Sequence, residues 1–439
     1  MLLPDVPDRA IQKKEANELI SSEQLLIRVV NATERCDYMN NADNYNKKSV
    51  KDIPLGGKKV LLRCDFNVPQ DKETGKITDE GRITAALPTI NFLLEQGAAV
   101  IACSHLGRPK GQRVDKLSLA PVAENLAAQL GKPVKMAKDI IGPDAVKLAG
   151  ELKPGEIMLL ENLRFHPEEE KNDPEFAKSL ASLADVFVSD AFGTVHRAHA
   201  STEGVSNYLP AVSGFLVKKE LDNIGGAISD PRRPFVAILG GAKVSDKIGV
   251  IMNLLKKADT IIIGGGMAYT FVKACGGSIG NSLCEEAQLD EARRILYEAA
   301  AHAVKILLPL DSITATKISD DVNTIIVESR LVPDGLIALD IGPRATEYYT
   351  REIAGAGTVV WNGPMGVFEY STFAGGTLAV ARTMADSGAV TVIGGGDSAA
   401  AVRKFGLEDK FTHISTGGGA SLEFMEGKEL PGIACLLDA

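Results

Sequence analysis

The chain has 439 residues, of which 57 are acidic and 48 are basic, giving a formal net charge of −9. Hydrophobic residues make up 45% and charged residues 24%, proportions typical of a soluble globular protein long enough for two or three domains. The acidic balance argues against nucleic acid as the main partner, because such binding needs a basic surface. No apolar run approaches the ~18–20 residues of a membrane span, so no membrane association is expected.

The spacing of the cysteines and the N-terminal sequence indicate the cellular compartment of the protein. The six cysteines show neither CxxC spacing nor nearby His pairs, which is typical of reduced thiols rather than of disulfides or a zinc site. The first residues lack the basic region and apolar core of a secretory signal. We therefore expect a cytoplasmic protein.

Residues 1–44 do not join the pattern that follows, and we interpret them as a poorly ordered extension. From Lys47 onward, short apolar runs alternate with helical patterns. The candidate strands are 60–64, 98–104, 156–162, 185–190, 235–240, 260–265, 304–310, 357–363, 390–395 and 412–416. The candidate helices include 83–97, 120–131, 245–258 and 287–303. Most of the strand runs are continuously apolar, as in strands covered on both faces.

This alternation predicts an α/β fold with two doubly wound, Rossmann-like parallel-sheet domains joined by a hinge helix. We expect residues 45–213 to form the N-terminal domain and residues 235–420 the C-terminal domain. Residues 214–234 read as a helix followed by Gly and Pro, which is typical of a hinge helix and linker. In such sheets ligands bind at the carboxyl ends of the strands.

The strand ends of the two halves carry different chemistry. Before about residue 200 they place arginines and histidines, which we count together as cations that suit a small, highly charged anion. These are Arg63, Arg82, Arg108, Arg164, Arg197, His105, His166, His196 and His199. For any one arginine a surface ion pair is the commoner role. Asp65 and Asn67 are placed to contact hydroxyls of the same ligand.

After residue 235 the strands end instead in glycines, in the motifs LGGAK (239–243), GGGM (264–267), GGGD (394–397) and STGGGAS (415–421). One triplet alone indicates no more than a tight turn. Three triplets, each between an apolar strand and a helical segment, favour backbone N–H contacts to the phosphates of a nucleotide.

Three side chains accompany these glycines. Lys243 and Lys247 are four residues apart after a Gly-Gly turn and share a face if both are helical, although an exposed lysine pair is the plain alternative. Asp397 is the only carboxylate in the triplet motifs. It suits Mg²⁺, which takes one or two carboxylates plus phosphate oxygens, but aspartate is also favoured as a helix N-cap.

Common nucleotide signatures are missing. There is no GxxxxGK[ST] of a P-loop protein, and GGGMAYT lacks the third glycine of GxGxxG, which disfavours a dehydrogenase. The HRD and DFG motifs of protein kinases are also absent.

Taken together, the motifs resemble the phosphoglycerate kinase family from about Asn46 to the end of the chain. RCDFNVP, SHLGRP, ENLRFH, DAFGTVHRAH, LGGAKVSDKI, GGGMAYTF, WNGPMGVFE, GGGDS and STGGGAS occur in the family's order. The resemblance implies the glycolytic transfer of a phosphoryl group from 1,3-bisphosphoglycerate to ADP, giving 3-phosphoglycerate and ATP, with Mg²⁺ bound to the nucleotide. It also implies a monomer in which residues 421–439 return to the N-terminal domain.

The resemblance further implies the site residues. For phosphoglycerate these are Asp65, Phe66, Asn67, Arg82, His105, Leu106, Gly107, Arg108, Arg164 and Arg197. For the nucleotide they are Lys243, Lys247, Gly264, Gly265, Ala338, Asn362, Glu369, Gly395, Gly396, Asp397 and Ser398, with Asp397 also the metal ligand. Arg82, Lys243, Gly417 and Gly418 are assigned to catalysis. Ala338 departs from the family, in which glycine is common at this position.

Two classes of function stay open from the sequence. In the kinase, each half holds one substrate and the halves must close to bring the substrates into line. The alternative is a non-catalytic protein on the same fold that binds a phosphometabolite or nucleotide. The retention of Arg82, Lys243, Lys247 and Asp397 favours the enzyme.

Overall fold

The computed structural model describes residues 45–71 and 73–439, so the extension predicted over residues 1–44 lies outside the described residues. The first half builds a six-stranded parallel sheet with strand order β3-β4-β2-β1-β5-β6. Its strands are β1 Lys59–Cys64, β2 Ala99–Cys103, β3 Val134–Met136, β4 Ile157–Leu159, β5 Val186–Asp190 and β6 Ala211–Ser213.

The second half contains another six-stranded parallel sheet, with the order β10-β8-β7-β15-β16-β17. The strands of this half are β7 Phe235–Leu239, β8 Thr260–Ile263, β9 Ser278–Ile279, β10 Lys305–Leu307, β11 Asp311–Ala315, β12 Ile325–Glu328, β13 Leu331–Val332, β14 Ile337–Ile341, β15 Thr358–Asn362, β16 Val390–Gly394 and β17 His413–Ile414. Strands β12, β11 and β14 form a small antiparallel sheet, and β13 pairs with β9.

Helices connect these strands. They are α1 Gly81–Glu95, α2 Ala120–Leu130, α3 Pro143–Glu151, α4 Pro167–Glu170, α5 Pro174–Ala181, α6 Phe215–Glu220, α7 Gly226–Ser229, α8 Ile248–Leu254, α9 Ala268–Ala274, α10 Leu289–Ala301, α11 Pro343–Ala354, α12 Gly375–Asp386, α13 Gly396–Lys404, α14 Gly419–Met425 and α15 Pro431–Ala434. Among the described residues there is no helix with the length and apolar content that a membrane crossing requires.

The central strands carry continuous apolar runs, such as Val60–Leu62 in β1, because both of their faces are covered. In β1, Leu61 packs into one hydrophobic cluster while Val60 and Leu62 pack into another. Successive side chains of a strand point to opposite faces, so the two clusters are the two sides of the sheet. In β7, Ala237 and Ile238 divide between two clusters in the same way. The predicted parallel sheets with covered faces are therefore confirmed.

The chain passes between the two sheets through α6, a π-helical turn at Leu221–Gly225, and α7. The carboxyl of Asp190, at the end of β5, accepts a hydrogen bond of 2.8 Å from Leu216 N and so holds the first turn of α6 against the first sheet. Leu221 and Ile224 belong to a hydrophobic cluster that continues into both sheets. The junction is thus packed apolar structure rather than a bare linker.

The last residues lie against the first sheet. The backbone N–H of Leu437 donates to Ala211 O at 3.0 Å, and that of Gly432 donates to Val195 O at 2.9 Å. The Lys47 ammonium lies 2.6 Å from the Asp438 carboxylate. These contacts join the C-terminal segment to both ends of the first half.

Several predicted bounds differ from the structure. The helix expected over 245–258 begins only at Ile248 and ends at Leu254. The strands expected over 304–310 and 412–416 are shorter, at Lys305–Leu307 and His413–Ile414. The antiparallel sheet was not predicted.

Candidate functional site

The functional side chains lie in two cavities at the carboxyl ends of the parallel strands. The first cavity, which we call the arginine pocket, has a volume of about 350 Å³. It is lined by Asp65, Asn67, Arg82, His105, Gly107, Arg108, Arg164, Gly193, Thr194, His196, Arg197, Thr416, Gly417, Gly418 and Gly419. The loops after β1, β2, β4 and β5 supply most of this wall, as expected for the carboxyl edge of a doubly wound sheet.

Hydrogen bonds fix the loops of the arginine pocket without occupying every N–H donor of its arginines. Arg82, at the start of α1, lies with NH1 2.6 Å from Asp65 Oδ2, and its side chain is 46% exposed. The Asn67 side chain accepts from Gly107 N at 2.8 Å, and Arg164 NH1 donates to Gly107 O at 3.0 Å. The guanidinium groups therefore stand around the cavity with donors still available to an anion.

The imidazoles of His105 and His199 are neutral rather than cationic near pH 7. Burial, followed by the charges of Arg63 and Arg164, lowers the pKa of His105 well below its ordinary value. Burial and the same two arginines lower the pKa of His199 to about 4. The sequence-based grouping of histidines with arginines as cations is thus wrong for these two near pH 7. The positive charge of the pocket comes from its arginines.

Not every predicted cation lines this cavity. Arg63 is 1% exposed and lies behind the wall. His199 and His166 also lie outside the lining, whereas His196 is part of it. Phe66 and Leu106 are buried in the apolar core under the loops and do not line the cavity. Their backbone N–H groups are bonded to Ser104 Oγ and Asn162 Oδ1, so they serve to fix the loops.

The second cavity, the glycine pocket, has a volume of about 510 Å³. It is lined by Gly240, Gly241, Ala242, Lys243, Asp246, Lys247, Asn362, Gly363, Gly395, Gly396, Asp397, Ser398, Gly418, Gly419 and Leu422. The wall combines backbone with two lysines and two carboxylates. Backbone N–H groups, lysines and a carboxylate are the partners that phosphates and their metal ion require.

Lys243 and Lys247 lie in the turn before α8 and not on the helix, so the condition for a shared helical face is not met, yet both line the same cavity. The Lys247 ammonium donates to Asn362 Oδ1. Burial lowers the pKa of Lys247 to about 8, opposed by the carboxylates of Asp246 and Asp397. Asp397 lies inside the first turn of α13, whose N-cap is Gly395, so the N-cap alternative does not apply to it.

The two cavities meet at the loop before α14. Gly418 and Gly419 line both of them. Gly418 has φ +50°, a conformation that residues with a Cβ rarely adopt. A Cβ on Gly417 would lie 2.4 Å from the ring of Phe192, which packs beneath the loop. The wall shared by the two pockets is therefore backbone without side chains at the N-terminus of α14.

Some predicted nucleotide residues do not line the glycine pocket. Gly264 N and Gly265 N donate to Leu239 O and Met365 O, so those N–H groups are already bonded within the protein. Ala338 is buried beside Tyr269 in a small apolar cluster. Glu369 is exposed on the loop after β15. These residues border the region without forming the cavity that holds the lysines.

Several lining residues were not assigned from the sequence. Gly240, Gly241 and Thr416 belong to motifs that the sequence had singled out, so the motif itself was the signal. Asp246 also lies within one of those motifs, LGGAKVSDKI, whereas Leu422 carries no comparable signal, because only the folded helix brings it to the cavity.

Nucleotide binding is expected to take up protons through Lys247. An anionic phosphate beside this lysine raises its pKa from about 8, so at pH 8 binding takes up as much as about half a proton, falling to about a tenth at pH 7. Calorimetric titration with Mg·ATP in buffers of different ionisation enthalpy measures this uptake. Lys247→Arg, which keeps the charge and does not titrate here, is the matched control. Equal uptake in the variant would contradict the assignment.

Comparison with known proteins agrees with this geometry. The family model described as phosphoglycerate kinase matches residues 50–428. A phosphoglycerate kinase of Clostridium botulinum is 58% identical over 398 residues, covering 90% of this chain and 100% of that protein. One from Moorella thermoacetica is also 58% identical, covering 89% of this chain and 99% of that protein.

Solved structures give the same result. The phosphoglycerate kinase of Coxiella burnetii is 44% identical with a TM-score of 0.84, and that of Pyrococcus horikoshii is 35% identical with a TM-score of 0.74. Each comparison covers 89% of this chain and 98% of the other. A family match of this extent, two parallel-sheet lobes and two pockets that share one glycine wall lead to one conclusion: the chain belongs to the phosphoglycerate kinase family.

Proposed function

We propose that this chain catalyses reversible phosphoryl transfer from 1,3-bisphosphoglycerate to ADP, giving 3-phosphoglycerate and ATP in glycolysis. The observation that carries the proposal is that Gly418 and Gly419 line both pockets. A phosphoryl group bound against this backbone is within reach of a ligand on either side. Two pockets of suitable charge without a shared wall would suit a protein that only binds two ligands.

The arginine pocket binds the phosphoglycerate. Its guanidinium groups suit the phosphate and the acyl phosphate, because the planar fork binds such anions bidentately. Arg82 is assigned to the acyl-phosphate oxygens and Arg164, Arg108 and Arg197 to the remaining negative charge. Asp65 and Asn67 orient the hydroxyl of the substrate.

The glycine pocket binds the nucleotide through its phosphates. Lys243 is assigned to the phosphoryl group in transfer, and Lys247 with the backbone at Gly395 and Gly396 to the other phosphates. Backbone donors at Gly417 and Gly418 add to the stabilisation of the transferred charge. Asn362, Ser398 and the neighbouring Ala338 and Glu369 complete the nucleotide side, with Glu369 assigned to the ribose.

The donor set suits Mg²⁺ carried in with the nucleotide. Within residues 45–71 and 73–439, no three His, Cys, Asp or Glu side chains are grouped so as to hold a metal ion by themselves. A single carboxylate beside a phosphate site fits Mg²⁺, which typically completes its shell with phosphate oxygens and water. Asp397 would hold the ion, which supplies charge neutralisation on the phosphates.

No general base is needed in this reaction. In the ATP-consuming direction the nucleophile is the carboxylate of 3-phosphoglycerate, which has an ordinary pKa near ~4 and is already deprotonated. The residues of the site therefore act by positioning and by charge stabilisation. Closure of the two halves about 214–234 brings the substrates into line and excludes water. The protein acts as a cytoplasmic monomer.

The direct test is a coupled assay of the purified chain with 3-phosphoglycerate, ATP and Mg²⁺. The kinase is supported if the protein turns over and if the rate depends on the concentrations of both substrates, as expected when both are bound in one ternary complex. A protein that binds both ligands by calorimetry but does not turn them over would instead be the non-catalytic binding protein.

Asp397→Asn is expected to raise the Mg²⁺ concentration that gives half-maximal activity, on the order of tenfold or more, because a neutral oxygen replaces an anionic ligand. Magnesium titrations of activity at fixed ATP measure this. Asp246→Asn, which alters the other carboxylate of the glycine pocket, is the comparison. A larger rise in that variant would assign the ion to Asp246.

A further inference from the structure

Arg63 is a cation of the first half that the proposed reaction does not use. It lies near the end of β1, opposite Cys103 of β2, and is 1% exposed. All three of its guanidinium nitrogens have partners. Nε donates to Ser201 Oγ at 2.9 Å, NH1 donates to the carbonyl of Cys64, and NH2 lies 3.2 Å from Nδ1 of His105. A buried guanidinium with a partner on each of its nitrogens is not available to a ligand.

In the contact between Arg63 and His105, only one of the two groups can be the hydrogen-bond donor. A guanidinium carries donors and no acceptor, so Nδ1 of His105 has to be the acceptor in this hydrogen bond. A neutral imidazole with a bare Nδ1 carries its proton on Nε2. His105 itself lines the arginine pocket, so the protonated nitrogen is the one left for a ligand.

We propose that Arg63 is a positioning residue that holds His105 in the neutral Nε2–H tautomer, so that His105 meets the bound anion as a hydrogen-bond donor and not as a cation. A donor of this kind selects for an oxygen acceptor, such as a carboxylate or phosphate oxygen. The identity of that ligand as phosphoglycerate rests on the proposed function, whereas the tautomer does not.

The charge of Arg63 is balanced inside the protein. Ser201 Oγ, which accepts from Arg63, donates to Glu169 Oε1 at 2.6 Å, and Ser201 N donates to Glu169 Oε2 at 3.0 Å. Glu169 and Ser201 are fully buried. Burial raises the pKa of Glu169, and the charge of Arg63 opposes that rise and favours the carboxylate. The group that fixes His105 is therefore itself held by a buried network, which gives it a defined position.

Protonation of His105 is opposed from several sides. It would break the acceptor role of Nδ1 and set a second positive charge against Arg63. The guanidiniums of Arg164 and Arg82 also disfavour a charged ring, whereas the remaining group that acts on this imidazole, the ring of His199, is itself neutral near pH 7. Because His105 is also almost fully buried, desolvation acts in the same direction.

The tautomer is measurable without any activity. In protein labelled with ¹⁵N at histidine, long-range proton–nitrogen spectra separate a bare ring nitrogen from a protonated one. The His105 signals are assigned by their loss in His105→Gln. We expect Nδ1 bare and Nε2 protonated, unchanged between about pH 8 and pH 6 where an ordinary histidine becomes charged. A proton on Nδ1, or a doubly protonated ring by pH 6, would overturn the proposal.

Arg63→Lys tests the positioning role, since it keeps the buried charge but lacks the guanidinium fork. We expect a mixed or reversed tautomer signature at His105. We also expect the KM for 3-phosphoglycerate to rise about 3- to 10-fold, the size of one hydrogen bond, with a smaller change in kcat. Cys103→Ala, which removes packing beside Arg63 in the sheet, is the matched control and should leave the tautomer unchanged.

The outcomes separate the two proposals. A wild-type tautomer pattern in a folded Arg63→Lys variant would overturn the role of Arg63, whatever the kinetics. If wild type shows the expected tautomer but no turnover, the proposed function fails and the tautomer inference stands. Should Arg63→Lys not fold, the spectrum of the wild type alone still decides whether His105 has the stated form.

Discussion

Lys243→Ala is expected to lower kcat by on the order of 10²–10³-fold, the range measured for single groups that stabilise transition-state charge. Lys243 lies in the turn before α8 and lines the glycine pocket, whose lining also includes Gly418 and Gly419 of the shared wall. Its ammonium is assigned to the phosphoryl group at the stage when that group is bonded fully to neither substrate. The effect should therefore fall on kcat far more than on the KM for ATP.

The measurement is steady-state kinetics in both directions, together with calorimetric binding of Mg·ADP. Lys256→Ala removes an exposed lysine just beyond the same helix and controls for the loss of a positive charge. Retention of more than a tenth of the wild-type kcat in Lys243→Ala would remove this residue from the transfer step. A loss confined to KM would make it a binding residue only.

Glu220→Ala is expected to lower the free energy of unfolding by about 3–5 kcal/mol, the cost typical of removing one partner from a buried polar pair. Glu220 ends α6, and its carboxyl lies 2.7 Å from Nε2 of His413. It also accepts from Thr416 N at 2.9 Å and from Thr416 Oγ1 at 3.1 Å. Both Glu220 and His413 are nearly inaccessible to solvent, so water cannot replace the carboxyl.

Urea unfolding followed by circular dichroism measures this loss. Glu124→Ala, an exposed glutamate on α2, is the control and should change stability by less than about 0.5 kcal/mol. Because Thr416 begins the loop that forms the shared wall, kcat of Glu220→Ala should fall as well. Stability within 1 kcal/mol of wild type would show that the contact contributes little to the junction.

The parallel sheets could be predicted because their strands have a simple composition. A strand covered on both faces is mostly apolar: all five residues of β7 are, and β1 and β15 each hold a central apolar run, Val60–Leu62 and Val359–Trp361. The antiparallel sheet escaped prediction because Ile325–Glu328 is an exposed strand whose apolar residues face solvent. The sequence of this strand does not show the apolar pattern of a buried strand, so it is recognised only from its pairing with β11.

The candidate site was predictable to the extent that function depends on residue type. Arg82, Arg164 and Asp397 could be assigned from the sequence because a guanidinium suits phosphate and a carboxylate suits Mg²⁺. Arg63 looked identical to them in sequence, because burial and the partner on another loop decide its role. The spacing of Lys243 and Lys247 suggested a shared helix face, whereas a turn that ends before Ile248 brings them together.

The bare wall between the pockets also limits how this enzyme can evolve. Gly418 is held at φ +50°, and any side chain at Gly417 would meet Phe192. A substitution there adds atoms where two substrates have to approach each other. Adaptation to a new temperature, nucleotide or metabolite must then arise at residues that line one pocket and not both, such as Leu422 of the glycine pocket. Substitutions are therefore constrained in the shared wall, whereas residues at the edge of the site can change.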